Sequence, residues 1–182
     1  VTLDIQPDID AADPAALAWT ATVTAPDGTT YPADENGKVT IENPQLWWPN
    51  GYGEQALSPM TIAFRVHGAT DDSVKHNVGF RTLEFIHAEG REDALKYNVV
   101  INGKRIYMKG TNMVPLDCIH CVDENEIDRR LKDVAGANVN FLRIWGGGHI
   151  ESEAYYRAAD RYGLMILQEF TMSSSGCDDV PS

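Results

Sequence analysis

Hydrophobic and polar positions alternate with a period of two through the first half of the chain and change period in the second. Leu17, Trp19, Ala21 and Val23 alternate with Ala18, Thr20, Thr22 and Thr24 before Pro26-Asp27-Gly28 turns the chain. Val39 and Ile41 repeat the pattern after Asn36-Gly37. Met60, Ile62, Phe64 and Val66 then alternate with Thr61, Ala63, Arg65 and His67, and Val78, Phe80, Leu83 and Phe85 close the series. Successive strand side chains point to opposite faces, so each run predicts a half-buried strand. Runs of this kind between Pro, Gly, Asn and Asp clusters predict a small antiparallel sandwich over residues 1–86. Val1 begins mid-pattern, as a chain cut from a longer one would.

The stretch Pro44-Gln45-Leu46-Trp47-Trp48-Pro49-Asn50-Gly51-Tyr52-Gly53 interrupts the alternation. Its prolines and glycines fix a shape, and its tryptophans could plug an interface between domains or stack on a sugar; the packing role is the expected one.

From residue 97 the pattern changes. Tyr97–Ile101 and Lys104–Met108 flank Asn102-Gly103, a strong signal for a tight hairpin. Met108–Val114 can form a strand. Asp123 and Glu126 have capping-box spacing, and Ile127, Leu131, Val134 and Ala135 follow at helical intervals up to Gly136. Phe141–Trp145 is a short apolar run, as a buried parallel strand requires. Ser152 then opens a second helix carrying Ala154, Tyr155, Ala158, Ala159 and Tyr162, which Gly163 ends. Leu164–Leu167 is a third buried strand with Gln168-Glu169 at its carboxyl end. This β-α-β-α-β order over residues 87–182 is the opening of a parallel α/β fold. After Phe170 the chain is polar and turn-like. Three strands and two helices close no barrel, which takes ~250 residues, so the chain reads as a fragment. Its third strand would carry an unpaired edge, which predicts a disordered or rearranged second half, or self-association that covers the edge.

Arg143 is the anomaly in the second of these strands. A guanidinium keeps its charge, so inside a strand it needs a carboxylate, a ligand or a route to solvent. Carboxyl ends of parallel strands are where chemistry is usually housed, which marks Arg143, Trp145 and the glycines that follow. Glu169, at the end of the next strand, is either the partner of Arg143 or a ligand contact. Glu151 and Glu153 open a helix, where a carboxylate favours the dipole and need not be catalytic. Gly146-Gly147-Gly148 matches neither phosphate-binding glycine spacing, and His149 reads as a turn residue rather than a base.

Composition narrows the partners. The 182 residues carry a formal net charge of −12, which argues against nucleic acid. At 43% hydrophobic the chain is an ordinary folded one, with no segment apolar enough to span a membrane. Cys118, Cys121 and Cys177 are an odd number with no framework spacing, and Cys118-Ile119-His120-Cys121 lacks a fourth zinc ligand. No Asn-x-Ser/Thr acceptor and no basic-then-apolar leader occur, which points to a cytoplasmic location.

Two sets of residues carry a resemblance. Asn43 through Gly53, followed by Val78-Gly79-Phe80-Arg81, resembles the middle domain of glycoside hydrolase family 2. Asn102-Gly103-Lys104, Lys109 through Pro115 and Asn140 through Gly148 resemble the start of that family's catalytic barrel. Arg143-Ile144-Trp145-Gly146-Gly147-Gly148 looks like the β-mannosidase branch. The resemblance implies a multidomain β plus α/β chain: an immunoglobulin-like β-sandwich at 1–86, then at 87–182 an incomplete (β/α)8 barrel holding its first three β/α units. It implies a retaining β-glycosidase acting on terminal β-linked sugars, with carbohydrate as partner and no metal or organic cofactor. Both catalytic glutamates of the family would lie outside this chain, so the chain itself is expected to be inactive. Carried over by position, Arg143 and Trp145 line the sugar pocket, with Asn112, Asp117 and Glu169 as further contacts. Glu169 stands where β-mannosidases usually have Asp, Met113 replaces an aromatic residue, and the continuation after Phe170 is unlike theirs. Gly148-His149-Ile150-Glu151 resembles the exo-β-glucosaminidase branch, an alternative within the family. The alternative of another class is a non-catalytic sandwich module that binds glycan or spaces domains.

Overall fold

The computed structural model describes residues 1–7, 17–66, 69–117 and 122–173. Cys118, His120, Cys121 and Cys177, on which the thiol and metal questions turn, lie outside the described residues, as does most of the polar tail. The chain divides into two compact units, Val1–Leu46 with Ala56–Phe80 and Trp47–Gln55 with Arg81–Ser182.

The first unit is a two-sheet β structure. Strand β1 (Thr2–Asp4) pairs antiparallel with β4 (Lys38–Thr40). The second sheet has the order β3-β2-β5-β6, with β2 at Leu17–Thr24, β3 at Thr30–Pro32, β5 at Ser58–Val66 and β6 at Ala69–Val78. Alternation places Ala21 and Val23 of β2, Val39 of β4 and Ile62 of β5 in one core with Ile5, Ile41 and Phe80. Each such side chain, fully buried, contributes about 1.5–3 kcal/mol, and the core closes the sandwich. Strand β6 carries no alternating apolar signal. Its backbone pairs with β5 along its length, and its side chains from Asp72 to His76 are exposed, as suits the polar edge of a sheet.

The second unit begins with the aromatic loop. Trp47 is 3% exposed, its indole Nε1 donates to the Asp160 carbonyl at 2.7 Å, and the Arg81 guanidinium lies 5.0 Å over its ring. Its ring is therefore not offered to a sugar. Strand β7 (Leu83–Ile86) pairs with β8 (Asn98–Ile101), which pairs with β9 (Lys104–Ile106). Leu83 and Phe85 thus belong to the hairpin sheet and not to the sandwich series that their alternation suggests. Period-two spacing identifies a strand but not its partner. Between β8 and β9, Asn102 and Gly103 both take positive φ, 50° and 74°, the tight hairpin turn expected of that pair.

Three parallel strands follow in the order β10-β11-β12: Gly110–Met113, Phe141–Ile144 and Met165–Gln168. Helix α1 (Glu124–Gly136) connects the first two and α2 (Glu153–Tyr162) the last two. The Asp123 carboxylate accepts from the Glu126 backbone N–H at 2.9 Å, completing half of the capping box. The Glu126 carboxylate takes Arg129 and Arg130 instead. Helix α1 ends at Gly136, as the sequence marks, and the chain turns away through Asn138, φ 62°. Gly163 ends α2 in the left-handed conformation, as expected. Leu142 and Ile144 face the helices and pack with Ile127, Leu131, Tyr155, Ala158 and Ala159. Asn140, fully buried, ties β10 to β11: its side chain accepts from the Lys109 N–H at 2.8 Å and donates to the Tyr107 carbonyl at 3.1 Å. The described residues of the second half thus follow the strand and helix order read from the sequence.

Candidate functional site

Strand register decides which side chains meet. Asn112, Arg143 and Leu167 lie side by side across β10, β11 and β12. Leu142 and Ile144 are taken by the helices, so alternation turns Arg143 to the opposite face of the sheet. Glu169, two residues beyond Leu167, falls on that face at the carboxyl ends of the strands.

The guanidinium meets the carboxylate there. Arg143 Nε donates to Glu169 Oε1 at 2.7 Å, and Nη2 pairs with the same oxygen. Arg143 Nη1 donates to Asn112 Oδ1 at 3.1 Å. The second Glu169 oxygen, Oε2, accepts from the Gly146 backbone N–H at 2.9 Å. Arg143 and Glu169 keep 37% and 33% of their side-chain surface exposed, so the pair sits at an open mouth and not in a sealed core. The Arg143 hydrogen bonds, and then the Gly146 N–H, hold the Glu169 carboxyl below the usual glutamate range. A carboxyl held ionised in this way is a poor proton donor, which separates Glu169 from a general acid.

The glycines after Trp145 have distinct reasons. A Cβ on Gly146 would lie 2.9 Å from the Phe170 carbonyl oxygen and 3.0 Å from Glu169 Oε2. A Cβ on Gly147 would lie 2.2 Å from the Trp145 ring, which folds back over it. Trp145 remains 37% exposed, and its backbone N–H donates to the Met113 carbonyl at 3.1 Å, tying the turn to the end of β10.

Asp117 lines a cavity of about 260 Å³ with Leu116, His149, Ile150, Glu151 and Ser152, on the loops that follow β10 and β11. His149 Nε2 lies 3.3 Å from a Glu151 carboxylate oxygen. Of the five residues the sequence marks, the structure brings Arg143, Glu169 and Asn112 into direct contact. It places Trp145 on the adjoining turn and Asp117 in this neighbouring cavity. Gly146 enters the site through its backbone N–H, which residue type does not advertise. The only sequence signal was a glycine run of no known phosphate-binding spacing. Among the described residues no three His, Cys, Asp or Glu side chains converge as a metal site, and no helix is long and apolar enough to cross a membrane.

Chemically the cluster is a cation compensated by one carboxylate, with an amide and an indole ring beside it. It can bind and orient a hydroxylated ligand. A retaining glycosidase needs two carboxyl groups ~5–5.5 Å apart, and here the one bonded to Arg143 is already engaged.

Comparison with known proteins identifies the family. Residues 4–81 match the family described as glycosyl hydrolases family 2. The β-mannosidase of Mus musculus is 35% identical over 134 residues, covering 72% of this chain and 15% of the mouse protein. The mannosylglycoprotein endo-β-mannosidase of Lilium longiflorum is 35% identical over 136 residues, 74% of this chain and 14% of its own length. Among solved structures, the β-D-mannosidase of Dictyoglomus thermophilum superposes with a TM-score of 0.68 at 28% identity, covering 85% of this chain and 20% of that one. The chain therefore spans about one-seventh to one-fifth of the length of these relatives.

Proposed function

Because the chain belongs to the glycosyl hydrolases family 2, we propose that it is the sandwich-to-barrel segment of a retaining β-glycosidase that removes terminal β-linked sugars, β-mannosides foremost. In this reading the first unit, Val1–Leu46 with Ala56–Phe80, is an immunoglobulin-like domain, and the strands and helices from β10 to β12 supply the first three β/α units of a (β/α)8 barrel. The observation that carries it is the Arg143–Glu169–Asn112 cluster at the carboxyl ends of three parallel strands, the end on which barrel enzymes place their chemistry. Trp145, half exposed beside it, walls the subsite with a flat ring that suits the apolar face of a pyranose. Asn112 lies on β10 beside Arg143, and Asp117, on the loop after that strand, lines the neighbouring cavity.

The acid/base and nucleophile carboxylates belong to barrel strands outside this chain. Residues 1–182 therefore bind and position, and hydrolysis needs the longer polypeptide. Its reaction on 4-nitrophenyl β-D-mannoside, followed by proton NMR, is expected to release the β-anomer of the sugar first, as double displacement requires. Release of the α-anomer first, or no cleavage of any β-glycoside, would refute the proposal.

A further inference from the structure

The two oxygens of Glu169 go to two different elements. Oε1 holds the Arg143 guanidinium on β11, and Oε2 holds the Gly146 N–H in the turn that carries Trp145. We propose that Glu169 is a positioning residue, a two-point clamp that sets Arg143 and the Trp145 turn at one fixed spacing. This inference rests on the sugar-pocket reading for its purpose, although not for its geometry.

Three observations carry it. Both carboxylate oxygens are engaged by the protein, Oε1 by two Arg143 nitrogens and Oε2 by the Gly146 N–H. The turn is shaped around the carboxylate: a Cβ at 146 would crowd Oε2 at 3.0 Å and the Phe170 carbonyl at 2.9 Å, so only glycine lets both approach. The Ser173 N–H donates to the Gly146 carbonyl at 3.2 Å and the Glu169 N–H to the Ile144 carbonyl at 3.2 Å. The segment bearing Glu169 therefore grips the turn on both sides of Gly146.

Chain length matters in this arrangement. Aspartate at 169 keeps the charge but is one methylene shorter, so it reaches the guanidinium or the amide and not both. Glutamine keeps the length, but its amide nitrogen cannot accept a hydrogen bond. The two substitutions break the clamp for different reasons, and a purely electrostatic role would be spared by the aspartate.

The test uses the ¹⁵N-labelled 182-residue chain and follows two signals, Arg143 Nε–H and Gly146 N–H, with Leu131 and Leu142 amides reporting the fold. In the unsubstituted protein both signals are expected to titrate with one shared midpoint, below the ordinary glutamate range. Separate midpoints would overturn the clamp, and this measurement needs no variant. In Glu169→Asp and Glu169→Gln, loss of a charge-assisted hydrogen bond is expected to speed solvent exchange at one or both protons on the order of tenfold, with the fold reporters unmoved. Unchanged exchange at both protons in either folded variant would refute the proposal. Addition of methyl β-D-mannoside to the unsubstituted chain separates the two readings. A shift of the Trp145 indole N–H supports the sugar pocket. Its absence would count against the pocket while leaving the clamp to stand or fall on its own two protons.

Discussion

At the scale of single residues, Arg143 organises the candidate site because its charge cannot be discarded. The strand that places it was chosen by its neighbours: Leu142 and Ile144 are buried against the helices, and alternation sends Arg143 the other way. It then needs partners, and Glu169 and Asn112 provide them at the ends of the flanking strands. The carboxyl of Glu169 titrates below its ordinary value, first because of Arg143 and then because of the Gly146 N–H. The sign of the pH dependence follows. A group whose folded pKa is depressed adds stability that is present above the unfolded value and disappears as pH falls toward the folded one. Thermal unfolding between neutral pH and the acid side of the glutamate range should therefore show a flatter pH slope in Glu169→Gln than in the unsubstituted chain. An identical slope in the two proteins would mean the pair is not formed in solution. The partnership of Arg143 and Glu169 was among the readings open from sequence, since a strand-end cation asks for a carboxylate. The link from Glu169 to Gly146 was not legible, because a backbone N–H carries no sequence label.

At the scale of elements, the aromatic loop is the part of the second unit that comes from furthest away in sequence. Asn50 Nδ2 donates to the Ala135 carbonyl at 2.7 Å and to the Val139 carbonyl at 2.9 Å, satisfying acceptors at the frayed end of α1. Its backbone N–H donates to the Gly163 carbonyl at 2.8 Å at the end of α2. One residue thus serves the ends of both helices, α1 through its side chain and α2 through its backbone N–H. Asn50→Ala should lower the unfolding free energy in urea by about 1–3 kcal/mol, the cost of stranding buried carbonyls. A change within a few tenths would mean water replaces the amide. Elements with a strong local signal were readable from sequence. The hairpin turn at Asn102-Gly103, the Asp123 cap and the parallel strands at 141–144 and 165–168 fall where period and punctuation place them. Strand β6 was not readable, because an edge strand with Asp72, Ser73, Lys75 and His76 pays little for exposure and shows no apolar period. Strand β7 was readable as a strand but not as a partner of β8, since pairing depends on long-range register. Helix α1 ends at Gly136 as the sequence marks it, but the left-handed residue that turns the chain away is Asn138, which tolerates that conformation.

At the scale of the whole molecule, the account makes this chain one part of a site. In the proposed reading the face bearing Arg143, Glu169 and Asn112 supplies binding groups and a fixed cation, and the Glu169 carboxylate is committed to Arg143 and Gly146. The proposed division between binding here and bond cleavage elsewhere reflects that commitment: double displacement needs two carboxyl groups across the scissile bond. The measurement that tests this most directly compares two proteins against 4-nitrophenyl β-D-mannoside: the 182-residue chain, and the polypeptide translated from the whole reading frame that contains it. The account predicts no turnover by the chain and turnover by the longer polypeptide, the latter reduced at least about tenfold by Arg143→Lys, since an ammonium cannot hold Glu169 and Asn112 with the same fork geometry. Turnover by the 182 residues alone, or full activity of the longer polypeptide with lysine at 143, would contradict it.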